Sequence, residues 1–93
     1  MIYTGVHIGD TSTTTLTVSG TPWGPGPHDP EVYWKKVRNI TDSSSGLIRD
    51  NTQNTVTVPA GITGGTNNEW RTGDEAKIYD VPYLQWYRPW QNY

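Results

Sequence analysis

Residues 48–58 read Ile-Arg-Asp-Asn-Thr-Gln-Asn-Thr-Val-Thr-Val, and residues 8–18, 40 positions earlier, read Ile-Gly-Asp-Thr-Ser-Thr-Thr-Thr-Leu-Thr-Val. Five of the eleven aligned positions are identical, and Leu16 aligns with Val56. Each stretch ends in alternating polar and apolar residues, which is the pattern of a half-buried β-strand. The repetition predicts that the chain contains the same β unit twice.

The residues after each stretch extend the repeat. Both copies continue into a Gly-containing loop with a Trp and then into a strand that carries a Tyr. We therefore expect two duplicated hairpin-plus-strand units, residues 1–41 and 42–81, packed face to face with pseudo-twofold character. They would form a single β domain over residues 1–81, followed by an aromatic C-terminal arm over residues 82–93.

The apolar composition favours the same fold class. Val and Ile number thirteen against five Leu and Ala, and Thr occurs fourteen times. β-branched residues fit a pleated sheet surface, whereas helices prefer Leu and Ala. Gly and Pro separate the short apolar runs. The sequence therefore predicts an all-β domain, a small sandwich or barrel of about six strands.

The alternation also predicts individual strands and their faces. The strand candidates are residues 2–8 and 13–18 as a hairpin, 31–40 as the longest strand, 47–49, 55–58 and 75–79. In the first strand Ile2, Thr4, Val6 and Ile8 share one face, which leaves His7 on the opposite, solvent-facing side. The predicted core consists of Ile8, Leu16, Val18, Val32, Ile48, Val56, Val58 and Ile78, with Trp23, Trp34 and Trp70 partly buried around it.

Charge and residue content exclude several functions. The net charge is −2, so the chain lacks the basic excess that nucleic acid binding requires, and cysteine is absent. We expect no membrane segment, no signal peptide and no cofactor. We also expect no metal site, because His7 and His28 are two isolated histidines. The turn carboxylates of Asp10, Asp29, Asp50 and Asp74 are expected to cap turns. Without a nucleophile motif, we expect no enzyme.

The second unit carries a resemblance. Residues 46–58, Gly-Leu-Ile-Arg-Asp-Asn-Thr-Gln-Asn-Thr-Val-Thr-Val, and residues 70–79, Trp-Arg-Thr-Gly-Asp-Glu-Ala-Lys-Ile-Tyr, resemble a β module of bacteriophage structural proteins, namely capsid-associated, neck and tail or fibre components. The likeness covers about 34 residues well and the first unit loosely, where a Pro-rich loop replaces the Gly-rich one. It implies a virion structural role without catalytic residues. Similar Thr-rich hairpins occur in bacterial surface proteins and polysaccharide-active enzymes.

The last twelve residues hold five of the eleven aromatic side chains. The spacing of Tyr83, Trp86, Tyr87 and Trp90 is helical, but Pro89 limits a helix to one turn, so a short turn or an extended arm is expected. The side chains expected to bind a partner are Tyr83, Trp86, Tyr87, Arg88, Trp90 and Tyr93. They would pack on a neighbouring subunit, on their own domain or on a sugar.

Three functions fit these observations. The first is a non-catalytic virion structural or decoration protein that assembles in many copies, with itself or with other virion proteins, through strand edges and the aromatic arm. The second is a carbohydrate-binding module that uses exposed Trp and Tyr near the amides of Asn67, Asn68, Gln85 and Gln91. The third is a subunit of a non-viral extracellular filament. The expected location is accordingly the virion or, for the alternatives, the extracellular space.

Overall fold

The computed structural model describes residues 3–80, and these residues form two antiparallel sheets without a helix. The strands are β1 Tyr3–Val6, β2 Thr15–Thr17, β3 Lys36–Asn39, β4 Ser44–Leu47, β5 Asp50–Asn51, β6 Thr55–Thr57 and β7 Glu75–Tyr79. One sheet has the order β1-β7-β3-β4 and the other the order β2-β6-β5. The predicted all-β fold, a small sandwich, is confirmed, with seven short strands where about six were expected.

The strand pairing relates the two halves of the chain by a pseudo-twofold arrangement. β2 and β6 are neighbours, and Leu16 lies directly opposite Val56, the residue with which it aligns in sequence. In the four-stranded sheet β3 and β7 are central, with Arg38 opposite Lys77. Exchanging β1 with β4 and β3 with β7 reproduces the order of this sheet. Strands of the two halves therefore alternate in the larger sheet, and β2 of the first half pairs with β6 of the second half in the smaller sheet, rather than forming two units packed face to face.

This interleaving has a physical reason. Every strand pair except β5–β6 joins strands of different halves, so neither half has a complete sheet of its own that could pack as a separate layer. The division into repeat units at residues 1–41 and 42–81 stays a prediction, because pairing geometry reports an arrangement and not its origin.

The core lies between the two sheets. Its buried apolar side chains are Leu16, Val18, Trp23, Val32, Val37, Ile48, Val56, Val58, Ile62, Trp70, Ala76 and Ile78. All predicted aliphatic core residues except Ile8 are confirmed, and Trp23 and Trp70 are more completely buried than expected. Alternation identified them because the period of two holds wherever one face of a strand is buried.

The face predicted for the first strand is wrong. Val6 is 46 % exposed and Ile8 is 52 % exposed, whereas His7 is 1 % exposed. Tyr3 packs against the core, and its ring meets that of Trp23 edge to face at 5.1 Å. Successive side chains of a strand point to opposite faces, so an assignment that is off by one residue places every side chain on the wrong face. The alternation in residues 2–8 does not by itself show which of the two faces is buried.

Backbone hydrogen bonds explain why the inner face belongs to His7. The His7 N–H donates to the Asp74 carbonyl at 2.9 Å, and the His7 carbonyl accepts from the Gly73 N–H at 2.8 Å. Ile48 makes the corresponding pair of bonds with residues 34–35. His7, and not Ile8, is therefore the structural counterpart of Ile48. The sequence repeat is displaced by one residue at this point.

The predicted hairpin of residues 2–8 and 13–18 is also wrong. β1 pairs with β7, and β2 pairs with β6 in the other sheet. Between them the chain crosses from one sheet to the other, and Ser12 forms a two-bond bridge with Trp70 through N···O distances of 2.9 and 2.6 Å. The residues between β1 and β2 therefore pair with Trp70 and do not form the turn of a hairpin.

The longest predicted strand, residues 31–40, begins at Lys36. The preceding residues form a turn, because the Asp29 carboxylate accepts from the Glu31 N–H at 2.8 Å and the Asp29 carbonyl accepts from the N–H groups of Val32 and Tyr33. Likewise, the strand expected over 47–49 lies earlier, as β4 at Ser44–Leu47. By contrast, the strand expected over 75–79 is confirmed as β7.

Candidate functional site

A group of exposed and half-buried aromatic side chains lies on the turn before β3. It consists of His28, Tyr33 and Trp34 together with Arg49, and we call these four residues the aromatic ledge. Trp34, predicted to be partly buried around the core, is 42 % exposed and lies outside the buried core cluster. An exposed Trp beside Tyr and Arg is the residue combination that dominates binding energy at protein interfaces.

The Asp29 turn positions the ledge. The turn replaces the extended conformation that the alternating pattern predicted for the start of residues 31–40, so Trp34 lies outside β3. The Trp34 N–H donates to the Ile48 carbonyl at 2.9 Å, which holds the residue at a φ of +67°. His28 likewise has a φ of +64°. A bulky residue in the left-handed region costs about 1–3 kcal/mol, and such conformations concentrate at functional sites.

The ledge rings form a continuous array. The ring centroids of His28 and Tyr33 are 4.4 Å apart, and those of Tyr33 and Trp34 are 5.3 Å apart in an edge-on arrangement. The Arg49 guanidinium lies 4.2 Å from the Trp34 ring centroid, which is a cation–π contact. The Arg49 N–H donates to the carbonyl of Thr57 in β6, so the array is connected to the smaller sheet as well as to the turn before β3.

The last described residue is tied to the chain next to the ledge. The Lys35 ammonium contacts the Asp80 carboxylate at 2.6 Å, and this hydrogen bond lowers the pKa of Asp80. One residue earlier, Tyr79 of β7 is paired with Lys36 of β3. Asp80 therefore lies next to Lys35, the residue that follows Trp34. The predicted partner-binding residues Tyr83, Trp86, Tyr87, Arg88, Trp90 and Tyr93 lie outside the described residues.

The histidines do not form a shared site. His7 was expected on the surface, and its burial contradicts that expectation; its Nδ1 accepts from the Thr17 N–H at 3.1 Å and its Nε2 donates to the Asp10 carbonyl at 2.7 Å. His28 is exposed, as expected, and belongs to the ledge. Within residues 3–80 no three His, Cys, Asp or Glu side chains come together as a metal site.

The carboxylates at the turns accept hydrogen bonds from backbone N–H groups. Asp29 accepts from Glu31, Asp50 accepts from the Asn51 N–H at 2.9 Å, and Asp74 accepts from the Arg71 N–H at 3.0 Å. The expected capping role is confirmed at these three aspartates.

Asp42, which the sequence did not single out, holds the loop after Ile62 in the same way. Its carboxylate accepts from the N–H groups of Asn67 and Asn68 and from the Ser44 hydroxyl, each at 2.8 Å. The bond from Asn67 is the main cause of a lowered Asp42 pKa.

The loop proposed for sugar contact is built differently from the expectation. Its Trp70 is fully buried, and the Asn68 side-chain oxygen accepts from the Gly65 N–H at 2.9 Å. Asn67 is exposed, but the neighbouring Trp offers no face for stacking. Gln85 and Gln91 lie outside the described residues.

Sequence reasoning missed the ledge because it extended the strand through Trp34. Two signals were available in the same stretch. Asp29-Pro30-Glu31 is a turn-initiating combination, in which the carboxylate caps the N–H two residues later. The polar pair Lys35-Lys36 interrupts the alternation, and the break marks the start of β3 at Lys36.

Comparison of the chain with protein-family models, with curated proteins and with solved structures found no match. Across residues 3–80 no helix has the length and apolar character needed to cross a membrane. A function for this chain is therefore inferred from its own residues and their geometry.

Proposed function

We propose that this chain is a non-catalytic structural or decoration protein of a bacteriophage-like particle, present in many copies that contact one another or other virion proteins through strand edges and the aromatic C-terminal arm. The observation that carries this proposal is the aromatic ledge at the place where the chain continues into residues 81–93. An exposed Trp and Arg beside a half-buried Tyr on one surface favour a binding role.

The edge of the larger sheet supports the same proposal. β1 is an outer strand of that sheet, and Val6 and Ile8 expose apolar side chains along it and just beyond its end. Soluble proteins usually protect such edges with charge or proline, and an apolar edge is suited to pairing with another subunit. The engagement of the turn carboxylates by backbone N–H groups favours a structural role over a catalytic one.

Deletion of residues 83–93 tests the proposal. We expect the shortened chain to keep the circular dichroism spectrum and cooperative unfolding of a β domain, but to lose incorporation into particles. The measurement is co-sedimentation of wild-type and shortened chains with the particle proteins encoded by genes that neighbour this one. A wild-type chain that stays monomeric and binds no such component would contradict the proposal. So would a shortened chain that still assembles.

A second candidate function, carbohydrate binding, now rests on the ledge instead of the Asn67 loop. Trp34 exposes part of its ring, and sugar rings stack on such surfaces while nearby polar groups bind the hydroxyls. Titration with neutral and acidic polysaccharides, followed by Trp fluorescence, tests it, with Trp34→Ala as the control. A glycan array without signal, together with unchanged fluorescence, would exclude this function.

A further inference from the structure

We infer that, in the free protein, the aromatic ledge binds residues 81–93 of its own chain. This inference goes beyond the proposed assembly role, because it concerns the protein before assembly and needs no particle. It starts from the position of Asp80, whose carboxylate is bound to Lys35, the residue next to Trp34. The segment therefore begins at the edge of the ledge.

The chemistry of the two surfaces matches. Residues 81–93 contain five aromatic side chains, one Arg and no acidic residue. The ledge offers aromatic rings in edge and tilted arrangements and a guanidinium against one of them. Aromatic rings add favourably to such arrays in offset or edge-to-face contact, and Arg88 on one side or Arg49 on the other can add cation–π contacts.

The segment is long enough for this contact. Thirteen residues reach up to ~43–47 Å when extended. The ledge rings are separated by 4.4 and 5.3 Å, a path that about three extended residues cover. A tethered segment has an effective concentration in the millimolar range, which exceeds that of free copies in a dilute solution. The segment of the same chain is therefore favoured over that of a second copy.

Limited proteolysis of the full-length protein with chymotrypsin tests the inference. Chymotrypsin cleaves after the Tyr and Trp residues of the segment, and mass spectrometry identifies the cut. We expect Trp34→Ala to accelerate cleavage within residues 83–91 by about 5- to 30-fold, because loss of an interface Trp raises the population of the undocked segment. The matched control is Thr66→Ala, which truncates an exposed side chain outside both the ledge and the β1 edge and should leave the rate unchanged.

Urea unfolding of each variant shows that the domain remains folded, and Arg49→Ala provides a second, independent weakening of the ledge. Equal cleavage rates in wild type, Trp34→Ala and Arg49→Ala would overturn the inference. Protection that disappears on dilution would also overturn it, since the occupant would then be a second copy. A soluble polysaccharide that speeds cleavage in the wild type, but not in Trp34→Ala, would support docking on the ledge by showing competition for the same surface.

Discussion

The two halves of the chain build corresponding strands from different kinds of side chain. His7 in the first half and Ile48 in the second make equivalent backbone bonds, and both are buried. The same contrast occurs in the central strands, where Asn39 corresponds to Ile78. Each polar member is fully bonded: the Asn39 amide donates to the Glu69 carbonyl and to the Asp74 carboxylate. Corresponding positions in the two halves can therefore carry different residue types, provided that the buried polar side chains have hydrogen-bond partners.

The largest expected effect tests the place where the halves are most alike. Leu16 and Val56 face each other at the centre of the smaller sheet, and both are buried. We expect Leu16→Ala to lower the free energy of unfolding by about 2–5 kcal/mol and Val56→Ala by about 1–3 kcal/mol, since each leaves a cavity in the core. Urea unfolding measures both.

The double variant of this pair should be non-additive, because the two side chains are cross-strand partners. The control is Ile8→Ala, expected to change stability by less than about 0.5 kcal/mol because its side chain is largely exposed. Changes of a few tenths of a kcal/mol in Leu16→Ala or Val56→Ala would mean that the register of β2 and β6 differs from the one described.

An intermediate effect is expected where the halves differ most. His7→Ile places in the first half the residue type that the second half carries at the corresponding position. It leaves the half-buried Thr17 N–H and the Asp10 carbonyl without their side-chain partner, so we expect a loss of about 1–3 kcal/mol. His7→Gln, which keeps a donor and an acceptor, should recover part of it. A His7→Ile variant as stable as wild type would show that the polar contacts are dispensable.

The smallest expected effect distinguishes the two buried Trp residues. The Trp23 indole N–H donates to the Thr52 carbonyl at 2.6 Å, whereas the Trp70 indole N–H has no hydrogen-bond partner within the described part of the chain. Phe substitution removes comparable volume at both sites. Trp23→Phe should therefore cost about 0.5–1.5 kcal/mol more than Trp70→Phe, the net value of a hydrogen bond. Equal losses in urea unfolding would contradict this.

Local pattern predicted those parts of the fold that depend on short-range periodicity. β6 and β7 lie within the predicted segments, and the buried positions Leu16, Val56 and Ile78 follow from alternation alone. Most of the candidate site was not predicted in this way. Trp34 belongs to the ledge because a capped turn forms where the start of a strand was predicted. The alternating pattern does not indicate which of these two local structures is the more stable.

The sequence by itself determined the fold class, the repeated strand pattern and most of the core, because β-branched composition and a period of two are local properties. The tertiary structure decided which strands pair and which face of β1 points inward. β1 pairs with β7, more than 60 residues away, and that pairing buries His7 in place of Ile8. A short strand with apolar residues at neighbouring positions is compatible with both faces. The choice therefore depends on long-range partners, here Thr17, Asp74 and Trp23, whose positions no local pattern specifies.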